Sequence, residues 1–175
     1  MYKRYLITGI GLIIFTIGIL AGCENQEIWL TYTNKSYGYS IEYPHGWSVS
    51  EPFQNRQMAV IKNPDEKEII SVLVNANKGL TLDQEVNYYV YASKEGSYYY
   101  KLVSDENVKH QEIEARLLEI VFQSKADSPR LNVKELYLID KDKFYLVRFA
   151  TASANLNSLS PLYQRVFSSF KLTWQ

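Results

Sequence analysis

From Tyr5 to Leu20 the chain reads YLITGIGLIIFTIGIL without a charged residue, and shortly after it stands Cys23, the only cysteine among 175 residues. This run takes the N-terminus out of the folding problem. Lys3 and Arg4 precede it, Ala21 and Gly22 close it, and that order matches a secretory signal. It is shorter than the ~20 apolar residues that a stable membrane-spanning helix needs. What folds is the remainder, and a single cysteine gives it no disulfide and no cysteine metal site. Packing alone must hold it, and 15 tyrosines with 7 phenylalanines supply the bulk.

The ending Leu20-Ala21-Gly22-Cys23 resembles the bacterial lipobox, in which a cysteine follows two small residues and an aliphatic one. The resemblance implies a signal peptide over 1–22, recognised through Leu20, Ala21 and Gly22, and a diacylglyceryl group on the Cys23 thiol. Two acyl chains anchor stably where one binds marginally. The expected location is the extracytoplasmic face of a bacterial cell membrane. The competing reading is an uncleaved N-terminal anchor with an incidental cysteine; charge, length and ending together favour the signal. Cleavage would leave 17 basic and 19 acidic residues, a formal charge of −2. That balance provides no basic face for nucleic acid.

Residues 23–35, mostly polar, read as a lipidated cysteine and a partly docked tether, with one domain over 36–175. In YGYSIEYPHGWSV, Tyr37, Tyr39, Ile41 and Tyr43 alternate with smaller or polar residues, the period of a half-buried strand. Pro44 and Gly46 predict a turn, and Trp47 and Val49 a further extended piece. MAVIK and EIISVLV flank Asn63-Pro64-Asp65 and predict a hairpin whose second strand is central. Thr81 and Gln84 form a capping box opening a helix with Leu82, Val86, Tyr89 and Val90 on one face and a stop at Gly96. A long extended region follows. Lys134–Asp140 and Phe144–Thr151 read as a hairpin around Lys141-Asp142-Lys143. Ser160 is expected to cap a last helix with Pro161 at its first position and a stripe of Leu159, Tyr163, Val166, Phe167 and Phe170; Leu172 and Trp174 close the chain. The order predicts an α+β fold, a largely antiparallel sheet with helices on its faces.

YGYSIEYPHGWSV resembles the opening of the PsbP-like family, an aromatic strand followed by proline and a Gly-Trp pair. LYQRVFSSFKL is similar to that family's closing helix, so the resemblance covers most of Ser36 to Leu172. It implies an α/β/α sandwich around a mainly antiparallel sheet. It also implies a range of roles: extrinsic subunits of photosystem II in plants, lipoproteins in cyanobacteria, and lipoproteins in bacteria outside photosynthesis.

Catalytic and cofactor motifs are missing from the sequence. Serines lack a Gly-x-Ser-x-Gly elbow or a Ser-x-x-Lys pair, and there is no phosphate loop or dinucleotide fingerprint. No enzyme activity, cofactor or metal is expected. His45 reads as a solvated turn residue, and Asp140 and Asp142 as hairpin-tip residues. His110, Glu112 and Glu114 would share one face of a strand and could hold a divalent ion; the favoured alternative is a solvent-facing stripe neutralised by Arg116. Tyr88 and Tyr91 lie off the apolar stripe of the first helix and Tyr98 follows its stop, so these three mark a possible interaction surface. The leading expectation is a lipid-anchored binding or scaffold domain for a membrane protein complex. A photosystem II accessory factor and a surface hydrolase are the alternatives.

Overall fold

The computed structural model describes residues 27–51, 58–152 and 156–173. The apolar run, Leu20, Ala21, Gly22, Cys23 and Trp174 lie outside the described residues. Within them the order is β1 (Trp29–Asn34), β2 (Tyr39–Pro44), β3 (Ser48–Ser50), β4 (Met58–Lys62), β5 (Glu68–Ala76), α1 (Leu82–Glu95), β6 (Tyr99–His110), β7 (Ile113–Gln123), β8 (Leu131–Asp140), β9 (Lys143–Thr151), a 3-10 turn (Leu156–Leu159), α2 (Ser160–Ser169) and β10 (Lys171–Leu172). Seven strands form one sheet in the order β3-β4-β5-β9-β8-β7-β6, and β1-β2-β10 form a second. Neighbouring strands are antiparallel throughout. The class is the expected α+β sandwich.

The large sheet has a core on each face. Against one lie the small sheet and α2, burying Tyr39, Ile41, Val147, Phe149, Val166 and Phe170. Against the other lies α1, whose Val86 packs on Leu118, Val133, Tyr137 and Phe144, with Leu82, Tyr89 and Val90 around them. The central position of β5 follows from its composition: Ile70, Val72 and Val74 face the first core while Leu73 borders the second.

α1 begins as its sequence predicts. The Thr81 hydroxyl accepts from the Gln84 amide at 3.3 Å, and the Gln84 side chain accepts from the Thr81 N–H at 2.9 Å. Asp83 in the first turn meets Arg116 of β7, which also holds Asp105 of β6, so the helix start is tied to the sheet. Thr81→Ala is expected to lower stability by about 1 kcal/mol. The check is a lower urea midpoint with an unchanged slope.

Three expectations are corrected. Residues 29–34 are not tether but the edge strand β1, paired with β2 from Trp29↔Pro44 to Asn34↔Tyr39. Tyr32 and Asn34 turn towards the domain, but Leu30 on the same face is exposed and Thr31 and Thr33 are polar, so the strand period escapes notice. Ser160 does not cap α2; Leu159 occupies that position without a side-chain bond, Ser160 is the first helical residue with Pro161 second, and the Ser160 hydroxyl accepts from Gln164 at 2.9 Å. The extended region after α1 is two strands, because Gln111 and Glu112 both take positive φ, 49° and 67°, and reverse the chain.

Candidate functional site

The reversal at Gln111-Glu112 separates the three residues read as possible metal ligands. His110 ends β6, Glu112 lies in the turn and Glu114 is exposed on β7. His110 Nε2 donates to the Phe170 carbonyl at 2.8 Å, and the Gln111 amide donates to the same oxygen at 2.7 Å. Since a carbonyl only accepts, the His110 hydrogen sits on Nε2. These side chains pin the hairpin tip to the end of α2. Arg116 neutralises Asp83 and Asp105 rather than Glu112 and Glu114. Among the described residues no three His, Cys, Asp or Glu side chains gather as a metal site would require.

The face of the large sheet beneath α1 carries a different constellation. Pairing across β5, β9 and β8 places Ser71, Arg148 and Glu135 side by side. Glu135 is 1% exposed. It accepts from Arg148 Nε at 2.6 Å, from Arg148 Nη2, and from the Tyr137 hydroxyl. Burial works against the Arg148 charge, but Glu135 beside it outweighs that, and the guanidinium is held above its ordinary value. Burial and then Glu135 push the Tyr137 hydroxyl well up. The same two causes push Tyr100 up to about 12. The Tyr100 hydroxyl is buried with no hydrogen-bond partner.

Above Arg148 is a groove of about 370 Å³. The large sheet-facing residues of α1 end with Val90, and Ala92, Ser93 and Gly96, which form the roof of the groove, are small. The floor nevertheless stays apolar, with Met58, Val60, Ile69, Phe122 and Leu131 open to the groove. Gly96 fits closely rather than loosely: it sits at φ −85°, and a Cβ there would meet the Ala92 carbonyl oxygen at 3.1 Å. Arg148 keeps 38% of its side chain accessible.

The outer face of α1 carries Tyr88 and Tyr91, and Tyr98 follows the end of the helix. Tyr88, Tyr91 and Tyr98 are 64%, 65% and 66% exposed, against the buried Val86 and the packed Tyr89 on the inner face. Tyr88 also lines a shallow pocket with Leu80 and Glu85, and its ring meets Tyr89 edge-on at 5.8 Å. Burial raises the pKa of Glu85. Tyr99 and Tyr100 do not join this face: Arg130 lies 4.3 Å over the Tyr99 ring, and Tyr100 packs into the core.

The Arg148–Glu135 pair was missed in sequence, although a signal existed. Once β8 and β9 are joined at Lys141-Asp142, Asp140 opposes Lys143, and counting outward sets the one arginine within FYLVRFAT opposite Glu135. An acid and a base facing each other on the sheet face that otherwise carries Val133, Tyr137, Phe144, Leu146 and Ala150 mark a buried pair.

Two packed faces on an antiparallel sheet, closed by a helix from the chain end, define a member of the PsbP family. The PsbP family model matches residues 29–172, and the chain belongs to that family. Among solved structures it is similar to the cyanobacterial PsbP protein CyanoP of Synechocystis sp. PCC 6803, with 19% identity and a TM-score of 0.67, covering 89% of this chain and 99% of that one. It is also similar to LpqN of Mycobacterium tuberculosis, a protein involved in cell envelope biogenesis, with 10% identity and a TM-score of 0.62, covering 86% of this chain and 93% of that one. No curated protein matches the chain in sequence.

Proposed function

We propose that this protein is a non-enzymatic binding domain, lipid-anchored through Cys23 on the extracytoplasmic face of a bacterial cell membrane, that docks on a membrane protein complex. The observation that carries the docking is the aromatic face: Tyr88, Tyr91 and Tyr98 each leave about two thirds of their surface in solvent. Such rings offer large contact area with a hydrogen-bonding tip, which suits protein interfaces. The anchor adds to this. β1 starts six residues after Cys23. An extended chain of that length spans at most ~20 Å, so an acylated Cys23 holds the domain at the lipid surface and raises its effective concentration for membrane partners.

Cys23→Ala is expected to move the protein from the membrane fraction to the soluble one. If it stays with the membrane, the anchor is the apolar N-terminal run and not a lipid. For docking, a photo-crosslinking amino acid placed singly at Tyr88, Tyr91 or Tyr98 should capture a shared neighbour in native membranes. The same group at exposed Lys125 serves as reference. Equal capture at all four positions would remove this face as the docking surface. Photosystem subunits among the neighbours would make the protein a photosynthetic accessory factor.

A further inference from the structure

The groove under the end of α1 is not needed for packing. Ala92, Ser93 and Gly96 stop short of the sheet, and the floor beneath them remains apolar instead of turning polar towards solvent. A sheet face meant only for water would alternate to polar residues here. The volume of about 370 Å³ is that of a small-molecule site, with apolar walls and few polar groups to fix orientation. Those polar groups are Ser71 and Arg148, adjacent across β5 and β9 in the floor, and Ser93 in the roof. Glu135 occupies the Nε and Nη2 side of the guanidinium, and among the described residues no acceptor is placed on Nη1.

We propose that the groove binds one long acyl chain whose carboxylate or ester oxygen accepts from Arg148 Nη1. The methylenes lie along Val60, Ile69, Phe122 and Leu131, and the Ser71 hydroxyl lies beside the head. A cationic amphiphile of equal length is excluded from the head position, because its ammonium would meet the guanidinium. Glu135 neutralises Arg148 from below, so a neutral ester is accommodated as well as a carboxylate. A free fatty acid and a membrane phospholipid both offer this chemistry. The site involves neither Cys23 nor the tyrosine face, so it stands whether or not the anchor and docking assignments hold.

The test uses the full chain in its native membranes with three photoactivatable probes carrying a diazirine in the chain: palmitate, palmitoyl phosphatidylcholine and a sixteen-carbon amine. Palmitate or the phospholipid, whichever is the source, should label peptides holding Phe122 and Leu131, and labelling should saturate. The amine should label them at least tenfold less. Ser93→Leu fills the groove from the roof with a better helix former, so it should retain the fold while lowering labelling at least tenfold. Arg148→Met risks leaving Glu135 unpaired and is secondary. Labelling unchanged in Ser93→Leu, or equal labelling by the amine, would overturn the assignment. No saturable labelling by either oxygen-bearing probe would also overturn it and leave the groove to an apolar side chain of a protein partner.

Discussion

Glu135→Ala is expected to destabilise the domain by about 3 kcal/mol, the low end of the range for removing one partner of a buried ion pair. The carboxylate is 1% exposed and takes three hydrogen bonds, two from Arg148 and one from Tyr137. Without it the Tyr137 hydroxyl is left buried and unsatisfied, and the Arg148 charge loses its counterion. The loss stays at the low end because Arg148 keeps 38% of its side chain accessible and its charge is only partly desolvated. The paired replacement Glu135→Met with Arg148→Leu removes both charges and should lie within about 1 kcal/mol of the native protein. Urea unfolding of the two variants separates the cases. If Glu135→Ala and the double variant lose equal stability, the pair is not what holds this face together.

Phe170→Ala should have a larger effect, about 3–5 kcal/mol. Phe170 is fully buried, and its ring centroid lies 5.7 Å from Tyr39, 6.0 Å from Tyr145 and 5.8 Å from His110. It thus joins β2 of the small sheet, β9 at the centre of the large one and the end of β6. A native domain holds only about 5–15 kcal/mol in total, so this cavity alone brings the fold near its limit. The measurement is again a urea midpoint, with tryptophan fluorescence and far-ultraviolet dichroism followed together. Phe167→Ala, at 9% exposure, provides the comparison and should cost less. A cost below about 1 kcal/mol for Phe170→Ala would show that the small sheet and the large one are not coupled through this ring.

The local features of the fold were legible in the sequence, and the non-local ones were not. The capping box at Thr81 and Gln84 depends on four consecutive residues, and the structure matches it bond for bond. The hairpins at Asn63-Pro64-Asp65 and Lys141-Asp142 are equally local. The turn at Gln111-Glu112 carries neither glycine nor asparagine, the usual marks of positive φ, so nothing in the extended region marks a reversal there. Missing it created the His110, Glu112 and Glu114 face. Exposure of Tyr88 and Tyr91 followed from helical spacing because one buried stripe defines its opposite. The groove had no such route. It draws on β4, β5, β7, β8, β9 and α1, and only the strand order brings Met58 near Leu131.

The small sheet has a consequence for the birth of the molecule. Its middle strand, β2, is flanked by β1 from the start of the domain and by β10 from its end. Ser169 bonds the Glu42 amide across 127 residues, and the Thr173 amide reaches the Gly38 carbonyl. A nascent chain leaving the ribosome therefore carries β1 and β2 as an unfinished pair through nearly all of synthesis. The layer closes only once β10 has emerged. Contacts of such long separation form late and slowly.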